Sequence, residues 1–166
     1  MRKPVKDMML GEAALISDND SACPDMGASL GALDGIVGFN LRLAHGAVYR
    51  HFTDTFADLG LTQKQVSVLW LVGDHPGMAQ IDLGGQLQMD RATTMTIVNR
   101  LQDRGFVVRT RSASDGRKQS LHLTAAGEAM LTKARACIAA HEAWLKARFS
   151  SDEVKKLVEM LKRIHD

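Results

Sequence analysis

Residues 79–124 read AQIDLGGQLQMDRATTMTIVNRLQDRGFVVRTRSASDGRKQSLHLT, and the order of apolar, capping and turn residues in them decides the fold. From Gln80 to Leu87 the anchors Ile81, Leu83 and Leu87 predict a short helix. Gly84 and Gly85 weaken it, because glycine costs about 1 kcal/mol against alanine inside a helix. A close helix crossing would justify one of them. Gln88 and Met89 form the expected turn. Asp90 suits the N-cap of a second helix, Arg91 to Arg104, since its carboxylate accepts an otherwise unpaired N–H. On that helix Met95, Val98 and Leu101 are expected to face the core. Thr93, Thr96, Asn99 and Arg100 occupy the opposite face. Gly105 ends the helix where a left-handed cap is expected. Phe106 to Arg111 then reads as a strand, Ser112 to Gly116 as a turn and Arg117 to Thr124 as the return strand.

Two helices meeting at a tight turn, followed by a basic hairpin, predict a winged helix-turn-helix. The fold class is therefore mainly α with a small β-wing, attached to a helical dimerisation region. Such a shape offers one helix and one hairpin to a DNA duplex. Arginine reads guanine, asparagine reads adenine, and hydroxyls hold phosphates. Taken alone, the helix fits an ordinary solvated amphipathic face equally well. Charge favours the DNA reading. Between Asp90 and Lys118 there are seven basic and three acidic side chains, a local +4 in a chain whose total is +2, so the remainder carries −2. Positive charge is gathered where phosphates would lie. The expected DNA contacts are Thr93, Thr96, Asn99 and Arg100 toward the major groove, Arg91 near the backbone, and Arg111, Arg117 and Lys118 on the wing.

The run from Leu61-Thr62 through Gly105-Phe106 to Asp115-Gly116-Arg117 and Leu123-Thr124-Ala125-Ala126-Gly127 resembles the MarR family of bacterial transcription regulators. Asp115-Gly116-Arg117, an Asp-x-Arg wing motif, is the most specific feature. The resemblance covers roughly residues 35–166. It implies a homodimer on a palindromic operator and a response to a small molecule. It also implies an effector pocket between the dimer helices and the winged-helix core, at the positions of His45, Tyr49, Val66 and Trp70. Arg42, His45 and Tyr49 lie at i, i+3 and i+7 on one helix. Arg or His pairs with a carboxylate, Tyr donates a hydrogen bond and Trp stacks on a ring. That set suits an aromatic acid or its thioester.

The remaining chain divides into an N-terminal arm (1–33), a dimerisation helix (34–60), the winged helix-turn-helix (61–124) and C-terminal dimerisation helices (125–166). In the arm, Met8 to Ile16 suggests one short helix. Asp34 is placed to cap a helix from Gly35 to Leu59. Val37, Leu41, Ala44, Val48, Phe52, Phe56 and Leu59 form its main apolar stripe; Ile36, Phe39 and Leu43 form a second. Two apolar sides call for two partners, its own domain and another subunit. Thr62 with Gln65 and Ser150 with Glu153 read as capping boxes, and Thr124 caps the long helix after the wing. Met78 is a candidate short strand joining the wing sheet. Half-sites one DNA turn apart, roughly 34 Å, need two readers, which argues for a dimer.

Other classes fare worse. No Gly-x-Ser-x-Gly, phosphate loop or His-Glu-x-x-His is present, so neither an enzyme nor a cofactor is expected. Cys137 with His141 at i, i+4 is too few ligands for a structural metal site, and His45 and His51 share a helix face poorly. A metal- or oxidant-sensing regulator of the same fold and a helical interaction module remain the alternatives. Two cysteines, Cys23 and Cys137, make no disulfide framework. Relatives that sense oxidants carry the thiol near the start of the first dimer helix, which Cys23 precedes. No apolar run approaches the roughly 18 to 20 residues of a membrane span. No secretory signal is expected either, which favours the cytoplasm.

Overall fold

The computed structural model describes residues 30–111 and 119–165. Most of the expected arm, with Met8 to Ile16 and Cys23, lies outside the described residues, as does the hairpin tip with Arg117 and Lys118. The chain divides into two units between Ile36 and Val37. In the first, the described residues form a 3-10 turn, Gly31–Gly35, closed by Ile36 N–H donating to Leu33 O at 3.0 Å. Asp34 falls inside this turn. The next helix begins at Val37, because Ile36 is extended.

The second unit runs α1 (Val37–Thr55), α2 (Gln63–Asp74), β1 (Met78–Ala79), α3 (Gln80–Gln86), α4 (Arg91–Asp103), β2 (Val107–Arg111), β3 (Gln119–Leu123), α5 (Ala125–Lys146) and α6 (Ser151–His165). Local chemistry sets the boundaries. Thr62 N–H donates to Gln65 Oε1 at 2.9 Å and Gln65 N–H returns to Thr62 Oγ1 at 3.3 Å, so α2 starts with a full capping box. Ser150 N–H donates to Glu153 Oε2 at 2.8 Å, which marks the start of α6. A single residue, Gln88 at φ 50°, turns the chain between α3 and α4. Gly84 shows why that turn needs a glycine. A Cβ there would meet Thr94 Oγ1 at 2.9 Å and the Met89 carbonyl at 3.3 Å. Its neighbour Gly85 faces open space.

The sheet order is β1-β3-β2, all antiparallel, with Val107 opposite Leu123 and Met78 opposite Leu121. Its inner face joins α2, α3 and α4 in one core. Val68, Leu69, Val72, Leu83, Val98, Leu101 and Leu121 are fully buried there. Phe52 on α1 and Phe56 just past its end extend this core, their rings stacked 4.1 Å apart. The α1 stripe thus divides: Phe52 and Phe56 are buried and Val48 half-buried, while Val37, Leu41 and Ala44 stay exposed.

Two core assignments need correction. Met95 is 49% exposed and Ile81 76%. The buried face of α4 is Thr94, Ile97, Val98 and Leu101. At roughly 100° per residue that face is centred well away from Met95, which sits at its edge. Both Met95 and Ile81 line an open cleft of about 900 Å³ beside the wing. Hence Leu101→Ala should cost about 2–5 kcal/mol in urea unfolding. Met95→Asp should change stability by only about 0.5 kcal/mol, as on other open surfaces.

Candidate nucleic-acid interface

Helix α4 is held by its first residue outside the helix. Thr93 N–H donates to Asp90 Oδ1 at 2.8 Å, and Thr93 Oγ1 donates to Asp90 Oδ2 at 2.6 Å. These bonds, the hydroxyl first, hold the Asp90 carboxyl below the usual range. Thr96 Oγ1 donates to Ala92 O at 2.9 Å. Both hydroxyl protons are therefore engaged within the helix, and a phosphate must displace a local acceptor to receive them. Arg91, Thr96, Asn99 and Arg100 are exposed on the outer side, with Thr93 half-buried. Arg111, at the end of β2, is exposed as well.

The basic residues divide into two groups. Arg104 is structural: its guanidinium donates to Gly60 O at 2.8 Å and Leu59 O at 2.9 Å and lies 4.8 Å over the Phe106 ring. Arg109 is likewise engaged, reaching Gln80 Oε1 at 3.2 Å, Asn99 Oδ1 at 2.6 Å and Gln102 Oε1. Neither role is legible from residue type or spacing, since the partners are far off in the chain or on another element.

The expected effector residues form two groups. On α1, His45 and Tyr49 rings stack 6.2 Å apart, and the Arg42 guanidinium lies 5.1 Å over Phe39. On α2, Val66 is buried in the core, while half-buried Trp70 carries Arg135 over its ring at 5.0 Å. Arg135 also pairs with Asp74 at 2.5 Å. No hydrogen bond or ring contact among the described residues joins the two groups. Their helices both pack on α5.

A half-buried contact not read from the sequence links α1 to α5. His51 Nδ1 and His141 Nδ1 are 2.8 Å apart, and His51 stacks on Trp144 at 3.9 Å. One ring must bear the hydrogen and the other the lone pair. His141 thus pairs across helices, rather than along its own helix with Cys137, which is half-buried and a free thiol.

A buried three-helix reader with a wing and an exposed polar, cationic recognition face defines a winged helix-turn-helix DNA-binding protein. The MarR family model matches residues 61–118. A transcriptional regulatory protein assigned to the hcr operon of Thauera aromatica is 30% identical over 136 residues, 81% of this chain and 82% of that protein. The chain belongs to the MarR family. Among solved structures, the transcriptional repressor CouR bound to a 23-mer DNA duplex is 34% identical with a TM-score of 0.79, covering 84% of this chain and 99% of that one. CouR bound to p-coumaroyl-CoA is 32% identical with a TM-score of 0.74, covering 82% and 96%. Membership places the chain among transcriptional regulators and not enzymes. No helix among the described residues is long and apolar enough to cross a membrane.

Stability is expected to depend on pH through His141. Burial, then the neighbouring His51, push its pKa down, and Glu142 only partly opposes them. The unfolded chain binds the proton first, near the ordinary value of about 6.5. Stability is therefore full above about pH 6.5 and falls as the pH drops below it toward the lowered folded value. Urea midpoints measured between about pH 8 and about pH 5 should fall more steeply for the wild type than for His141→Gln.

Proposed function

We propose that the protein is a cytoplasmic, homodimeric repressor that leaves a palindromic operator when an aromatic acid or its thioester binds. The supporting observation is the outer face of α4. Asn99, Arg100, Arg91, Thr93 and Thr96 share it, and Arg111 extends it onto the wing. Arg117 and Lys118, outside the described residues, are proposed to join them. Base edges and phosphates need such donors. For the dimer, the support is apolar surface with no covering in one copy. Val37 and Leu41 on α1 and Val158, Leu161 and Ile164 on α6 are all exposed. For the effector, the support is CouR, which is bound to p-coumaroyl-CoA in one structure and to DNA in another. Arg42, His45, Tyr49, Val66 and Trp70 are the proposed pocket. An effector acts only by preferring one separation of the two recognition helices.

A gel shift with the DNA upstream of the protein's own coding region tests this reading, repeated with aromatic acids and their coenzyme A thioesters. Arg100→Ala and Arg117→Ala should each weaken binding. A variant that loses a phosphate contact should lower the salt slope by about one unit. Undiminished affinity in both variants would favour an interaction module instead. Absence of release by any aromatic acid or thioester would remove the effector assignment.

A further inference from the structure

Arg109 sits half-buried on β2, at the base of the wing. Its Nε donates to Gln80 Oε1 at 3.2 Å, its Nη2 to Asn99 Oδ1 at 2.6 Å and its Nη1 to Gln102 Oε1. One guanidinium thereby ties α3 and α4 to the wing. A guanidinium has donors only. Each amide must therefore turn its oxygen toward Arg109, and the usual ambiguity between amide oxygen and nitrogen does not arise. The Asn99 amide is fixed with its NH2 on the branch away from the guanidinium, in an exposed side chain of the recognition helix.

That orientation decides what Asn99 can read. Adenine recognition uses both ends of the amide: the oxygen accepts from N6–H while the nitrogen donates to N7. Here the oxygen already receives a charge-assisted bond, roughly twice as strong as a neutral one. We propose that Arg109 is a positioning residue that sets the base preference of Asn99. One Oδ1 lone pair is taken and the amide plane is held by Arg109, so Asn99 leads with its NH2 and favours an acceptor edge, guanine N7 and O6 or thymine O4, over the two-ended adenine pairing. Without Arg109 the amide turns freely and the adenine pairing becomes open to it.

The inference rests on the reading of α4 as the helix that meets the bases. The test is selection of sites from a randomised duplex library by the wild type, Asn99→Ala, Arg109→Met and the double variant. Relative affinities are then measured at every position, at several salt concentrations. Asn99→Ala should level the preference at one base pair per half-site, where the wild type favours guanine or thymine. Arg109→Met should move that same position toward adenine by about tenfold, the scale of one bidentate base contact. The salt slope should stay at the wild-type value, since no phosphate contact is lost. In the Asn99→Ala background, Arg109→Met should leave that position level. Arg109→Lys keeps the charge but cannot hold three amides in one plane. It should shift the preference the same way, and it serves should Arg109→Met fail to fold. Equal weakening at all bases, an adenine preference in the wild type, or a shift that persists without Asn99 would overturn the proposal. If Asn99→Ala changes no preference, the reading of α4 falls with it. If Asn99→Ala levels a position that neither Arg109 variant reassigns, only this inference falls.

Discussion

The structure turns on the junction that Gly105 and Phe106, just after α4, make with Thr124 and Gly127. Gly105, at φ 73°, lets the chain reverse, and its N–H donates to Gln102 O at 2.8 Å. Phe106 N–H donates to Leu101 O at 2.9 Å, which closes the helix end. The two outward carbonyls are then taken by one residue. Thr124 Oγ1 donates to Gly105 O at 2.6 Å and Thr124 N–H to Phe106 O at 3.0 Å. Thr124 also accepts from Gly127 N–H at 3.0 Å and so caps α5. The approach is so close that a Cβ on Gly127 would lie 2.0 Å from the Phe106 oxygen. The recognition helix, the first wing strand and the long helix therefore share one backbone junction. Movement of α5 must carry the end of α4 with it, or break this junction. That gives a physical route from helices that pack on α5 to the side chains proposed to meet DNA.

Much of this fold was legible because its boundaries are local. Asp90, Thr62, Thr124 and Ser150 cap the helices they were expected to cap, since a hydroxyl or carboxylate beside free N–H groups has few better options. Gly105 is equally local. Asp34 is the local exception, since it falls inside the 3-10 turn before α1 and not at the N-cap position of that helix. The other errors lie where a partner comes from elsewhere. Periodicity placed Met95 and Ile81 inside, but it cannot tell a residue that faces the core from one that faces a cleft beside the wing. It found Gly84 and Gly85 alike, though only Gly84 is crowded, by a residue ten positions on. His51 and His141 are ninety positions apart, and nothing in the spacing of either announces the other.

The candidate site was legible in a weaker sense. Residue types and charge picked out the outer face of α4, but they counted every cation alike. Arg104 and Arg109 contribute to the local +4 while holding protein oxygens. Arg91, Arg100 and Arg111 remain exposed and retain their reach. A charge count measures the long-range field that draws a duplex in. It does not say which groups make contact, because a guanidinium bonded to carbonyls adds to the field without being available. The threonines show the same gap for hydroxyls.

The pattern of burial also bears on why one copy is an incomplete machine. Helix α6 is amphipathic, yet Val158, Met160, Leu161 and Ile164 are exposed and none of its residues is buried. A helix of fifteen residues is marginal in water without packing. The capping box at Ser150 and the basic last turn help its ends but do not cover its apolar side. The exposed N-terminal half of α1 poses the same problem. Covering both with a second copy would remove apolar surface worth about 25 cal/mol per Å². It would also fix the distance between two recognition helices, the quantity an operator with two half-sites measures. On this view the apolar face and the polar one serve the same end: the first sets the spacing at which the second can be used.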